Sequence, residues 1–133
     1  MKITSGIFKF KKICTINSYK VRPSSSKVRQ ALFNILLNRY NCNFNKKKVH
    51  LLDAFSGSGI IAIEAFSRNL SQATLVEEDK KIFKVLEDNF SKLKLLNKVK
   101  LIRNDFFKIE LERNMFDFVF LDPPYKKDVT NQA

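Results

Sequence analysis

Predicted strands and predicted helices alternate through most of this chain, and this alternation restricts the folds that it can adopt. The four predicted strands are residues 49–52, 73–77, 99–102 and 116–121. Helical spacing of apolar residues follows the first two strands, over 60–68 and 79–96, with Asp79 as the N-cap of the second helix. An earlier helix is predicted over about 26–40, with Ser24, Ser25 and Ser26 as candidate N-caps. Strands that alternate with helices form βαβ units, whose parallel sheet is covered by helices. The pattern therefore predicts an α/β fold.

Each predicted strand ends at or near an acidic residue, in the order Asp53, Glu77, Asp105 and Asp122. In an open parallel sheet, ligands bind beyond the carboxyl ends of the strands. Acids gathered at that edge repel one another and raise each other's pKa, which is unfavourable without a ligand to offset it. The spacing therefore predicts a ligand site at this edge.

The turn after the first strand, residues 53–59, carries two glycines that allow a close approach of the backbone to a ligand. Gly57, Gly59 and Ala62 match the dinucleotide-binding fingerprint in part. Asp53, however, stands at the strand end, where it would repel a pyrophosphate and favour a cationic or amine-bearing ligand. No Gly-Lys-Ser/Thr sequence follows, so the turn is not a nucleoside-triphosphate loop.

The acids of the next two strands suit the remaining parts of one ligand. Glu77 is placed to accept hydrogen bonds from both hydroxyls of a ribose. Asp105 is placed to reach an adenine edge, with Phe106 or Phe107 beside the ring. A cationic amino-acid end, a ribose and an adenine together describe S-adenosylmethionine better than NAD.

The fourth strand ends in Asp122-Pro123-Pro124-Tyr125. Two prolines donate no backbone hydrogen bonds and leave a rigid stretch of exposed carbonyls. An exocyclic amine on a planar base needs acceptors, which the Asp122 carboxylate and the Pro123 carbonyl can supply. Tyr125 can stack on a base taken out of its helix.

Charge is distributed unevenly along the chain. Residues 1–52 contain no Asp or Glu and carry the whole formal net charge of +12. Such an asymmetry predicts a segment that faces a polyanion, attached to a neutral body. We predict that the nucleic-acid-binding residues are Lys9, Lys11, Lys12, Arg22, Lys27 and Arg29.

These motifs resemble the class I S-adenosylmethionine-dependent N-methyltransferases, which implies a Rossmann-like sheet. The segment 22–34, Arg-Pro-Ser-Ser-Ser-Lys-Val-Arg-Gln-Ala-Leu-Phe-Asn, sharpens the likeness. With residues 51–59 and 73–77 it resembles the RsmD family of bacterial 16S rRNA (guanine-N2)-methyltransferases. Ser26 and Gln30 depart from the acids usual in that family. The likeness implies cofactor contacts from Asp53, Phe55, Gly57, Gly59, Glu77, Asp105 and Phe106, and catalysis by Asp122, Pro123, Pro124 and Tyr125.

The resemblance also divides the chain. Residues 1–25 are expected to form a basic, hairpin-like extension that faces RNA, and residues 26–133 a Rossmann-like domain that binds the cofactor. The family fold normally continues beyond the Asp-Pro-Pro-Tyr motif, so we expect a sheet that is incomplete at its C-terminal side. We accordingly expect the isolated chain to be marginally stable and to have little activity alone.

Other classes of protein fit the sequence less well. No apolar run approaches the roughly 20 residues of a membrane helix, and the N-terminus lacks the apolar region of a signal peptide. Cys14 and Cys42 form no disulfide framework, and no metal site is predicted. We expect a cytoplasmic monomer that acts on ribosomal RNA or the small ribosomal subunit. The alternatives are a DNA adenine N6-methyltransferase, which would need a sequence-reading domain, and an inactive RNA-binding fragment.

Overall fold

The central element is a four-stranded parallel sheet. A computed structural model describes residues 1–16, 24–39, 44, 48–112 and 114–124. The strands are β1 (His50–Asp53), β2 (Gln72–Val76), β3 (Val99–Ile102) and β4 (Phe118–Phe120). Each lies within one or two residues of the predicted position, and the predicted α/β, Rossmann-like class is confirmed.

The strand order β3-β2-β1-β4 determines where a ligand can bind. Leu51 of β1 pairs with Ala73 of β2 on one side and with Phe118 of β4 on the other, all in parallel. The chain therefore runs outward from β1 to β3 and then returns to the opposite side of β1. The crevice at such a reversal, beyond the carboxyl ends of the strands, is where doubly wound folds bind ligands.

In the described ranges three α-helices cover the sheet, and two of them have side-chain caps that the sequence indicates. Helix α1 spans Ser26–Asn34 and continues as a π-helical turn over Ile35–Arg39. Its N-cap Ser25 accepts a hydrogen bond from the Val28 amide. Helix α3, Lys80–Lys92, begins after Asp79. The Asp79 carboxylate accepts hydrogen bonds from the Lys81 and Ile82 amides and caps the helix as predicted.

Helix α2, Ile60–Ser67, is buried on every side. It lies in the main core with apolar side chains from β1, β2 and α3, such as Leu51, Leu75 and Phe90. A helix that is apolar all round belongs inside a protein and not on its surface. The single acid within it, Glu64, must therefore find partners in the interior.

The N-terminal segment, residues 1–16, is attached to α2. Its described part folds back through one antiparallel bridge, between Lys2 and Lys12. The amides of Ile7 and Phe8 donate hydrogen bonds to the Ser67 carbonyl and hydroxyl, each at 2.9 Å. The predicted hairpin-like extension covers residues 1–25, of which residues 17–23 lie outside the described part of the chain.

Glu64 is the centre of a buried ion cluster that also includes Arg29, Arg68 and Thr4. Its carboxylate lies 2.8 Å from Arg29 Nε and 2.9 Å from Arg68 Nη1, and it accepts from the Thr4 amide and hydroxyl. Arg29 is only 1% exposed, and its guanidinium also donates to the Lys2 and Ser24 carbonyls. The prediction that Arg29 contacts nucleic acid is therefore wrong in this structure, because its charge is engaged by Glu64.

Candidate functional site

Three of the predicted acids lie at the carboxyl ends of neighbouring strands. Asp53 ends β1 and is 1% exposed, Glu77 directly follows β2, and Asp122 follows β4 at the surface. Burial raises the pKa of the Asp53 carboxyl to about 7; the Phe55 amide opposes the rise, and the charges of Asp122 and Glu77 add to it. The structure therefore brings a buried carboxyl and two further acids to the ligand-binding edge.

Backbone hydrogen bonds hold the 53–59 turn against the sheet. The Ser56 amide donates to the Val76 carbonyl of β2 at 2.9 Å, and the Gly59 amide donates to the Ser56 carbonyl at 2.9 Å. Gly59 has φ +87°, and a Cβ there would lie 2.6 Å from Leu86 Cδ1. Gly59 therefore allows the chain to turn into α2 close to α3 without a Cβ clash.

Glu77 fixes the same turn from the end of β2. One carboxylate oxygen accepts from the Gly57 amide at 3.1 Å and the other from the Asp79 amide at 2.9 Å. Burial raises the pKa of Glu77, although these amides act to lower it. Each carboxylate oxygen has capacity for a second donor, so this half-buried carboxylate can still accept ribose hydroxyls.

An aromatic group lies beside the turn. The rings of Phe55 and Phe106 have centroids 5.6 Å apart, and Phe107 lies 6.0 Å from Phe55 with an exposed ring. Asp105 accepts from the Phe107 amide at 2.9 Å and caps the short 3-10 helix Phe106–Lys108. The three rings offer apolar faces to a planar ligand, next to the acids Asp53 and Glu77.

The predicted target-binding motif follows β4. The Ala54 amide donates to the Phe120 carbonyl at 3.2 Å, which holds the end of β4 beside the 53–59 turn. Asp122 and Pro123 are exposed and Pro124 is half-buried, so the first two are open to a macromolecular substrate. Tyr125 lies outside the described residues.

Most of the described residues predicted to bind nucleic acid are at the surface. Lys9, Lys11, Lys12 and Lys27 are exposed. Arg29 is the exception described above, and Arg22 lies beyond the described ranges.

Asn89, which was not among the predicted site residues, links the N-terminal segment to the 53–59 turn. Its buried amide donates to the carbonyls of Cys14 and Ser58, both at 2.9 Å, and accepts from the Cys14 amide at 3.1 Å. Asn89 occupies the buried face of α3 together with Leu86 and Phe90. A polar residue at an apolar position of the helical repeat was the available signal, because buried amides require partners.

The described ranges contain neither a cluster of metal ligands nor a membrane-spanning helix. No group of three or more His, Cys, Asp or Glu side chains there is arranged to hold a metal ion. Nor does any helix in those ranges have the length and apolar character to span a membrane.

Comparison with known proteins gives consistent matches. A sequence-family profile described as "Conserved hypothetical protein 95" matches residues 1–133. The chain is 35% identical to "Ribosomal RNA small subunit methyltransferase D" of Buchnera aphidicola subsp. Baizongia pistaciae, over 100% of this chain and 65% of the relative. Its identity to the protein of the same name from Haemophilus influenzae is 32%, over 100% of this chain and 68% of that one.

A solved structure is similar over nearly the whole chain. It is described as "Putative methyltransferase yhhF from Escherichia coli", with a TM-score of 0.78 and 28% identity over 95% of this chain and 65% of that one. The chain thus spans about two thirds of the length of the proteins that it matches.

Proposed function

The chain belongs to the RsmD family, the family of "Ribosomal RNA small subunit methyltransferase D" proteins, and on that premise we propose that it methylates the N2 amine of a guanine in small-subunit ribosomal RNA with S-adenosylmethionine. The observation that carries the proposal is the buried Asp53 carboxyl at the sheet edge, beside Glu77. Within the described part of the chain, the Asp53 carboxylate accepts a hydrogen bond from the Phe55 amide alone, at 3.3 Å. A cationic ligand group would compensate this buried acid.

The residues at this edge fit S-adenosylmethionine. Asp53 would hold its ammonium group, and Glu77 would accept hydrogen bonds from its ribose hydroxyls. Phe55 and Phe106 would flank its adenine, with Asp105 at the edge of that ring. When bound, this cofactor supplies a methyl group carried on a sulfonium sulfur.

Asp122 and Pro123 would act on the target base. Both are exposed beside the turn that would hold the cofactor. The Asp122 carboxylate and the Pro123 carbonyl would accept hydrogen bonds from the exocyclic amine, orient its lone pair and assist the loss of its proton. Their contribution is chiefly positioning, which supplies a large share of the rate in reactions between two bound groups.

The RNA substrate is proposed from the names of the relatives and from the acid-free N-terminal stretch, residues 1–52. Exposed lysines of the N-terminal segment would contact phosphates, and we expect the protein to act as a monomer in the cytoplasm. Transfer of labelled methyl groups to small-subunit ribosomal RNA tests the assignment. Digestion of the product to nucleosides should place the label on guanine N2, and label on another atom or on DNA alone would contradict the proposal.

We expect Glu77→Ala to weaken binding of S-adenosylmethionine and S-adenosylhomocysteine about ten- to hundredfold. Hydrogen bonds to a charged group contribute on the order of 1.5–3 kcal/mol, and the ribose would lose them. Isothermal titration calorimetry measures the change, and Glu78→Ala, an exposed acid next in the chain, is the matched control. Binding of NAD by the unaltered protein, with no binding of either S-adenosyl ligand, would contradict the cofactor assignment.

Cofactor affinity should also fall as the pH drops below about 7. The Asp53 carboxyl has its pKa raised to about 7 by burial, so it is mostly neutral at pH 5.5 and must lose its proton to hold an ammonium group. Each pH unit below that pKa then costs up to about tenfold in affinity. Calorimetry at pH 5.5 and 7 should show this decline, and Asp53→Asn should abolish it. Equal affinity of the unaltered protein at both pH values would show that Asp53 does not hold the ammonium group.

A further inference from the structure

The N-terminal segment presents an exposed aromatic ring among lysines. We call residues 6–12 of this segment the basic turn. Phe10 at its tip is 69% exposed, and Lys9, Lys11 and Lys12 around it are exposed as well. The acid-free sequence of residues 1–52 places no carboxylate within the turn to neutralise these charges.

Hydrogen bonds fix the backbone of the basic turn to α2 and to the start of the N-terminal segment. The Phe8 amide donates to the Ser67 hydroxyl at 2.9 Å, and the Phe10 amide donates to the Ile3 carbonyl at 2.9 Å. Gly6 lies so close to α2 that a Cβ there would be 1.9 Å from the Ser67 carbonyl oxygen. The exposed ring of Phe10 therefore projects from a fixed backbone.

The backbone at Phe10 is itself unusual. Its φ of +71° lies in the left-handed region, which bulky side chains seldom adopt. A buried ring could offset such strain by packing, but this ring gains little from burial. A strained conformation that displays an apolar ring to solvent points to a contact outside the chain.

The chemistry around the ring indicates what that contact is. The Lys9 ammonium lies 4.9 Å from the centroid of the Phe10 ring, and the Lys11 ammonium lies 5.9 Å from that of Phe8. The Lys9 ammonium lies over one face of the Phe10 ring, while most of the ring remains exposed. An exposed apolar ring close to cations matches an unstacked nucleobase and its neighbouring phosphates. A neutral protein surface would offer no negative groups to pair with these lysines, so it fits the basic turn less well than RNA.

We propose that Phe10 is a stacking platform for an unpaired base of the RNA, with Lys9, Lys11 and Lys12 on the neighbouring phosphates. This inference rests on the proposed RNA substrate and adds a contact by which the protein distinguishes single-stranded from duplex RNA. Recognition of an unpaired base is a role that the lysines of the basic turn could not perform by charge alone.

Two substitutions of Phe10 test the platform. Phe10→Gly removes the ring and suits the positive φ, so it should not unfold the turn. It should weaken binding of a single-stranded oligonucleotide about ten- to hundredfold, the range for loss of one stacked base, and leave binding of a duplex unchanged. Phe10→Trp should retain the affinity, and because the chain has no other Trp, single-stranded RNA should quench its fluorescence.

Matched variants separate stacking from charge. Val28→Ala, at another exposed apolar residue, should leave both affinities unchanged. Replacement by Ala of all three lysines of the basic turn, Lys9, Lys11 and Lys12, should make RNA affinity depend less steeply on salt, because fewer counterions are released on binding. Replacing Lys80, Lys81 and Lys84 by Ala should leave the salt dependence of RNA affinity unchanged. Phe10→Gly should lower the affinity for single-stranded RNA without changing how steeply it depends on salt.

The outcomes distinguish this inference from the proposed function. If the unaltered protein binds no RNA in a salt-dependent manner, both the RNA substrate and the platform are overturned. If it binds RNA and Phe10→Gly binds single strands equally well, the platform alone is overturned. Tighter binding to anionic lipid vesicles than to RNA, lost in Phe10→Gly, would overturn the platform in favour of a membrane contact.

Discussion

Replacing Glu64 with glutamine is expected to lower the free energy of unfolding by about 3–5 kcal/mol, because the Arg29 guanidinium would stay buried with no carboxylate beside it. Glu64 is fully buried and lies 2.8 Å from Arg29 Nε. The net stability of a domain is typically about 5–15 kcal/mol, so this loss is a large fraction of the total. Urea unfolding followed by circular dichroism measures it.

The exposed pair of Lys84 and Asp88 is the matched control. These side chains are 3.1 Å apart but well exposed, at 71% and 52%. Exposed pairs contribute about 0–1 kcal/mol, so Asp88→Asn should have a small effect. A loss in Glu64→Gln no larger than in Asp88→Asn would show that the buried cluster does not hold the N-terminal segment on α2.

The pH dependence of stability offers a second check on the same cluster. Burial acts to raise the pKa of Glu64, but hydrogen bonds from Arg68, Thr4 and Arg29 outweigh it and hold the pKa below the ordinary value of 4.5. The contribution of Glu64 is therefore complete above pH 4.5 and is lost as the pH falls through the folded-state pKa. The difference between unaltered protein and Glu64→Gln should shrink in acid.

Local patterns predicted the elements of this fold well. The position of Asp79 before an amphipathic stretch predicted the start of α3, because a capping carboxylate acts within three residues. The strands were predicted from short apolar runs that end at acids. The strand order requires long-range pairing, which no local pattern shows, yet it decides that Asp53, Glu77 and Asp122 share one edge.

The errors and omissions come from contacts between distant residues. Arg29 was assigned to the RNA surface on charge alone, whereas its partner Glu64 lies 35 residues further along the chain. One signal was available: an acid inside an apolar helix needs a buried partner, and the cation-rich residues 1–52 could supply it. Asn89 was missed for the same reason, since its partners Cys14 and Ser58 are distant in sequence.

Asp122→Ala is expected to lower the rate of methyl transfer by about a hundredfold or more while changing cofactor affinity little. Loss of alignment at a reacting centre costs on the order of a hundredfold, and Asp122 is the residue proposed to align the amine. The substitution removes one of the charges that raise the pKa of Asp53, which favours the ionised form of that carboxyl and offsets the lost attraction between Asp122 and a cationic cofactor. Because we expect little activity from residues 1–133 alone, the rate of methyl transfer is measured with a protein that spans the full length of the relatives. Steady-state transfer of labelled methyl groups by that protein, with calorimetry of S-adenosylhomocysteine, measures both quantities.

Asp122→Asn separates the two roles given to this carboxylate. Asparagine keeps an oxygen that accepts a hydrogen bond from the amine but carries no charge to assist the loss of its proton. If positioning dominates, Asp122→Asn should recover most of the rate lost in Asp122→Ala, and the rate should depend little on pH. If both variants are equally slow, the charge dominates instead. If Asp122→Ala weakens cofactor binding as much as it slows transfer, Asp122 belongs to the cofactor site and its assignment to the target amine is wrong.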